Sequence, residues 1–228
     1  KFIFEDTVRV SLKYNFDRAD LTYTTDGTVP DISSKKYEQP FIVDQTTTVR
    51  AAAFLDGWTA SETSENTFVQ ATYKPTSAKL STAPSDQYKA NGSTSVIDFL
   101  KGSTDFGDGK WLGYQAQDVT TTIDLGASKT IKNVAIGALE ATASYIFFPK
   151  QVIVQSSERN SGYKETARLD IPIAPEAHAT EIKSFLLSFD EHDARYIRVL
   201  IKGHLRNPDW HAAPGAKNWI FIDEVLVN

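Results

Sequence analysis

Apolar and polar residues alternate along most of this chain, and each alternating run closes on a turn-forming residue. Val8, Val10, Leu12 and Tyr14 interleave with Arg9, Ser11 and Lys13, the pattern of a strand with one face inward and one in water. Leu21 and Tyr23 begin a second strand that stops at Asp26-Gly27, a dipeptide suited to a tight turn because Gly accepts positive φ. Phe41-Ile42-Val43 follows Pro40, a turn covers Asp44–Thr48, and Val49–Gly57 (VRAAAFLDG) is a strand closed by a second Asp-Gly. Thr67–Tyr73 completes the set. Short strands at this spacing predict a small β-sandwich of immunoglobulin type.

Tyr73–Ser77 (YKPTS) interrupts the pattern with linker chemistry, and Pro84–Gly92 is polar and loop-like. A second pattern begins at Ser93. Val96-Ile97-Asp98 opens it, and Lys101–Lys110 (KGSTDFGDGK) has the Gly and Asp content of a loop. In Thr120–Gly126, Ile123 and Leu125 share one strand face while Thr122 and Asp124 share the other. Further strands run through Val134 and Ile136, through Val152 and Val154, and over Lys183–Phe189, Arg195–Lys202 and Trp219–Val227, with an irregular stretch over 160–180. About eight strands over about 150 residues suit a two-sheet jelly roll. The expected fold is all-β, with domains over 1–74 and 75–228.

Composition narrows the function classes. No stretch of the 228 residues keeps a helical period for three turns. The net charge of −5 argues against nucleic acid, whose phosphates need a basic footprint. No apolar run approaches the roughly 18 residues of a membrane span. A start at Lys1, with no Met anywhere, reads as a piece cut from a longer protein. The absence of Cys excludes disulfides and thiolate metal sites.

Two ordered sets of residues resemble known families. Tyr23–Pro30 (YTTDGTVP), Tyr37, Pro40, Thr46–Phe54 (TTTVRAAAF), Gly57 and Ser61 are similar to the chitobiase/β-hexosaminidase C-terminal domain, a small fibronectin-like module that follows the catalytic barrel in some family 20 glycoside hydrolases. That resemblance covers most of residues 7–70 and implies a spacer without catalytic residues. Asp26 fits it, as a turn residue that caps its own backbone. The second set is Asp108–Gly126 (DGKWLGYQAQDVTTTIDLG), Tyr145–Glu158 (YIFFPKQVIVQSSE), Arg195–Gly203 (RYIRVLIKG) and Asn207–Val227 (NPDWHAAPGAKNWIFIDEVLV). It resembles the discoidin (coagulation factor V/VIII type C) domain, in the branch found as carbohydrate-binding modules of secreted bacterial glycoside hydrolases.

Catalysis finds little support in the residues. A glycosidase needs two carboxyl groups about 5–9.5 Å apart, whereas Asp223 and Glu224 are neighbours on one strand and should face opposite ways unless a bulge intervenes. His178, His192, His204 and His211 show no metal-ligand spacing, and no Gly-x-Ser-x-Gly elbow exists. Asp98, the loop over 102–109 and Glu224 form an oxygen-only set that suits Ca²⁺. The discoidin resemblance implies the same structural Ca²⁺, with Asp98 and Glu224 at the matching positions. Phe99 departs from it, because that place usually holds Gly and a Phe resists a positive-φ turn.

A sugar site needs aromatic faces and planar polar groups. Candidates on loops are Trp111, Tyr114, Gln115, Gln117, Glu140, Tyr145, Trp210 and His211. Trp111 and Trp219 abut strands and read as core. Trp210, His211, Tyr114 and Tyr145 are the expected glycan-binding set. Galactose-binding relatives carry a His after the place of Trp111 and an Arg in the loop matching 139–146, and this chain has neither. The expectation is a non-catalytic accessory region of an exported bacterial glycoside hydrolase, partnered by a glycan and by the parent catalytic domain in cis. The competing expectation is a purely structural brace. A lipid-attaching discoidin domain would need exposed apolar spikes beside Lys or Arg; Phe147-Phe148 beside Lys150 is the only candidate, and Pro149 with the strand after it predicts that those rings are buried.

Overall fold

A computed structural model of the chain describes residues 2–16, 18–177 and 179–228, and nearly all of its regular structure is β-strand. Two units divide at Ala71/Thr72. The sequence boundary at 74/75 differs because Tyr73 already belongs to the second unit: it bridges Val227, and its hydroxyl donates to Thr130 O at 2.8 Å.

The first unit contains β1 (Phe2–Phe4), β2 (Val8–Val10), β3 (Asp20–Thr24), β4 (Lys35–Lys36), β5 (Phe41–Val43), β6 (Thr47–Phe54) and β7 (Ser64–Gln70). One sheet has the order β1-β7-β6-β3-β4, and β2 pairs β5 separately. Phe4, Val10, Tyr23, Val43, Val49 and Phe68 form the core between them. The alternation beginning at Val8 continues to Tyr14, but pairing stops at Val10. Without a partner strand the chain beyond Ser11 leaves the sheet, and Tyr14 and Phe16 end up exposed.

The second unit contains β8 (Ser77–Leu80), β9 (Leu112–Gln115), β10 (Val119–Glu140), β11 (Gln151–Ser157), β12 (Lys164–Asp170), β13 (Glu181–Lys202) and β14 (Trp219–Val227). Strands β10 and β13 pair along their whole length, with register shifts between Asp124 and Lys129 and between Ile131 and Asn133. The early part of β10 also pairs β8, and its later part pairs β14. The late part of β13 pairs β11. The two long strands therefore pass from one sheet into the other and bend at the shifts, which is how sandwich corners are made. Val119, Ile123, Val154 and Val199 from one sheet meet Val134, Ile136, Ile222 and Val225 from the other in a single core.

Three sequence readings change here. The linker expected over 73–77 leads straight into β8, whose residues pair Thr121–Asp124. The stretch 160–180 holds β12, an edge strand with a largely polar face and hence a weak pattern. The pairs of strands read around Gly126 and around residue 191 are single bent strands. Phe147 and Phe148 are buried, so they form no apolar spike. Among the described residues no helix is long and apolar enough to cross a membrane.

Candidate functional site

The last strand carries the densest polar chemistry. Ile136 pairs Val225 and Ala138 pairs Ile222, so Asp223 and Glu224 together oppose the single residue Gly137. This bulge turns both carboxyls toward the segment after Asp98, instead of to opposite faces. A Cβ on residue 137 would collide with Asp223 Oδ1 and Lys101 Nζ, so only Gly fits. Lys101 Nζ donates to Asp223 Oδ1 at 2.7 Å, and the amides of Gly102 and Glu224 donate to the same carboxylate at 3.0 and 2.6 Å. Asp223 is thereby fully engaged.

Glu224 differs. Its Oε1 accepts the Leu100 amide at 2.8 Å, and that amide also donates to Asp98 Oδ1 at 2.9 Å. Its Oε2 is buried and has no partner among the described residues. Burial first, then the hydrogen bond and charge of Asp98, push the Glu224 carboxyl up to about 9. Two carboxyls held face to face, one of them buried with an unsatisfied oxygen, make a place short of positive charge, and hard oxygen donors suit Ca²⁺. Phe99 takes φ +65°, so the positive-φ turn that a Gly would make is present despite the side chain. No group of three or more His, Asp or Glu side chains that could hold a metal ion gathers among the described residues.

At another place in this unit, the loop 205–218 meets the loop 141–146. His211 joins them: Nε2 donates to Thr142 O at 2.9 Å, and Nδ1 accepts the Ala213 amide at 3.0 Å. These partners define the neutral Nε2–H tautomer, and Asn207 Nδ2 adds a third contact at 3.0 Å. His211 is buried. It is thus a clamp that shapes the site, not a side chain offered to a ligand. Trp210 beside it is half-buried, with its ring 6.0 Å from Phe147 and 5.9 Å from His211. Its Nε1 has no partner among the described residues. Trp210 and His211, with Thr142, Ala143, Ala177 and Ala212, border a shallow depression of about 320 Å³. Tyr145 lies on the neighbouring loop at φ +64°, with 36% of its surface exposed and its ring 5.0 Å from His211. Strand β14 places that loop, because Trp219 N donates to Tyr145 O at 2.8 Å and Phe147 N donates to Trp219 O at 3.0 Å.

Tyr114 does not join them. It lies on β9, paired with Ile220, and is completely buried in the core. Leu112 and Tyr114 are inward residues of a short strand, not of the loop that the sequence predicts. Trp111 is also core, as expected: its ring lies against Gly102, and its Nε1 donates to Ser103 O at 2.9 Å. Lys101 and Gly137 escaped the sequence reading, because an isolated Lys and an isolated Gly announce nothing until the bulge brings them together. Of the four histidines, His178 lies outside the described residues.

In the first unit, Asp26 caps its own turn. Its Oδ1 accepts the Thr28 amide at 3.0 Å and the Thr28 hydroxyl at 2.6 Å, and these bonds hold the carboxyl below its usual range. Gly27 follows at φ +82°. Residues 3–65 match the chitobiase/beta-hexosaminidase C-terminal domain family. The match spans β1 to the start of β7 of the first unit and takes in the Asp26 turn.

Comparison with solved structures finds similarity to several carbohydrate-binding modules. One is chitosan-binding module 1 of a chitosanase/glucanase from Paenibacillus sp. IK-5, 15% identical over 68% of this chain and 96% of that one, with a TM-score of 0.42. Another is a Clostridium perfringens CBM32 module in complex with GalNAc-β-1,3-galactose, 13% identical over 66% and 92%, with a TM-score of 0.41. A pectin binding carbohydrate binding module is 15% identical over 68% and 91%, with a TM-score of 0.46. The search of curated proteins returned no match.

Proposed function

We propose that this chain is a non-catalytic accessory region of an exported bacterial glycoside hydrolase, and that its second unit binds glycan to hold the parent catalytic domain near substrate. The observation that carries this reading is the Trp210 depression. A half-exposed indole borders it, and a hydrogen-bonded His211 clamp holds its loop in place. The accessible part of the ring can stack on the C–H face of a sugar. The chitobiase-type pattern of the first unit supports a glycoside hydrolase parent. Asp223 and Glu224 are buried at 0% and 1% exposure, which supports a role without catalysis, since neither carboxyl can reach a substrate. A linked module raises local concentration, so weak affinity suffices.

A glycan array probed with the whole chain tests this. The expected result is binding to at least one glycan, weakened by about 2 kcal/mol or more in Trp210→Ala. Silence across the array overturns the glycan reading and leaves a structural brace, whereas unchanged binding by Trp210→Ala removes the Trp210 depression as its site.

Asp98 and Glu224 would hold Ca²⁺, which would supply the positive charge that their paired carboxyls lack and tie the 98–102 segment to β14. A ligand that binds only the native state stabilises it by about 2.7 kcal/mol at a hundredfold excess over its dissociation constant. Chelation should lower the second unit's melting temperature, and Asp98→Ala should remove that response. A melt that exhaustive chelation leaves unchanged rejects the ion.

A further inference from the structure

The first unit carries a cleft that the turn chemistry of the chain builds. Trp58, Tyr14 and Phe16 are 76%, 45% and 49% exposed, and all three line one cavity of about 260 Å³ with Phe54, Leu55 and Thr59. No ring of the three stacks on another aromatic ring among the described residues. Their faces are therefore not consumed by the core. Each wall is held by a backbone turn: Trp58 N donates to Leu55 O at 3.0 Å after Gly57 at φ +76°, and Ala19 N donates to Phe16 O at 3.2 Å. Ser61 closes the Trp58 loop, since its amide donates to Ala53 O at 3.0 Å and its Oγ accepts the Ala53 amide at 2.9 Å.

The cleft continues past Tyr14 and Ser61 into a groove of mixed character, where Ser11, Lys13, Glu62, Ser64 and Asn66 are exposed and Leu12, Leu21 and the alanines 51–53 form the apolar part. This groove crosses the face of β6 and β7. Its side chains are aromatic at one end and, along the rest, hydroxyl, amide and charged groups beside aliphatic ones. A pyranose ring needs an aromatic face for its C–H side and polar groups for its hydroxyls, and here the two lie end to end.

We propose that the first unit is a second glycan contact, in which Trp58, with Tyr14 and Phe16, stacks on a terminal sugar ring while the groove receives the next one or two residues of the chain. The site lies wholly within the first unit and stands whether or not Trp210 binds. The test is an amide-shift titration of the whole chain with cello-, chito-, laminari- and galacto-oligosaccharides. At least one is expected to shift the amides of Trp58, Thr59, Ser61 and Asn66. Trp58→Ala should weaken that response about tenfold or more, and Trp210→Ala should leave it intact. Trp58 is exposed enough that its removal spares the fold, which a thermal melt checks. If none of the four series shifts these amides, or if Trp58→Ala responds like the wild type, the proposal falls. It falls equally if sedimentation shows that Trp58→Ala abolishes self-association, since the face is then a contact between copies. Loss of binding in Trp210→Ala with these shifts retained separates this site from that of the second unit.

Discussion

At the scale of single residues, burial decides which candidate aromatics are available to a ligand. Tyr114 has the same side chain as Tyr145, yet one is sealed in the core and the other lies on a loop. Burial raises the Tyr114 phenol above its usual range, and its hydroxyl finds no partner among the described residues. A buried hydroxyl without a bond costs about 1–3 kcal/mol. Tyr114→Phe keeps the ring and removes that cost, so it is expected to raise unfolding stability by about 1 kcal/mol or more. Urea unfolding of the two proteins measures this, and a clear loss of stability would expose a partner for the hydroxyl. The alternation that puts Ile123 inward puts Leu112 and Tyr114 inward too. It was obscured in the sequence because Gly113 between them reads as a loop residue. Gly113 is there because Tyr88 and Phe221 approach to 2.8 and 2.9 Å of where a Cβ would sit.

At the scale of elements, the two long strands are held where they bend. Asp124 pairs Tyr196 and Lys129 pairs Ala194, so Arg195 stands opposite the extra residues 125–128 of β10. Its guanidinium makes a two-pronged bond to Asp124 at 2.8 and 3.0 Å. That bond, above all other causes, holds the Asp124 carboxyl below its ordinary value of 3.8. A carboxyl depressed by folding contributes stability that is complete above its unfolded value and lost as pH falls through its lower folded value. Arg195→Ala should therefore cost stability by a constant amount at neutral and mildly acid pH, and the deficit should close as pH drops below the unfolded value. Both side chains are partly in water, so the deficit will be small. Denaturant unfolding across an acid series checks the shape, and a deficit that persists at the acid end would mean that Arg195 acts by packing alone.

At the scale of the whole molecule, the division at Ala71/Thr72 puts β8 inside the second unit. Thr76 N donates to Asp124 O and Ser81 N to Thr120 O, both at 2.8 Å, so both ends of β8 are fastened to β10. A fragment over 72–228 is expected to fold and melt cooperatively, whereas one over 84–228 exposes the edge of β10 and should melt at clearly lower temperature or fail to fold. Circular dichroism melts of both check this, and equal melting would show β8 to be dispensable. The sequence alone determined that both units are β-sandwiches, because period-2 alternation and Asp-Gly turns are local properties. It also placed Asp98 near Glu224 through the discoidin resemblance, and marked the loop of Trp210 through Pro208 and Gly215. Only the tertiary structure decided that β10 and β13 are single bent strands, since a bend inside a strand and a loop between strands have the same composition. The fold alone decided that Asp223 and Glu224 face the same segment, because a bulge is a mismatch between two strands and neither strand records it. Likewise, His211 is a clamp and Trp58 an exposed platform because of what surrounds them, and those surroundings come from residues far away along the chain.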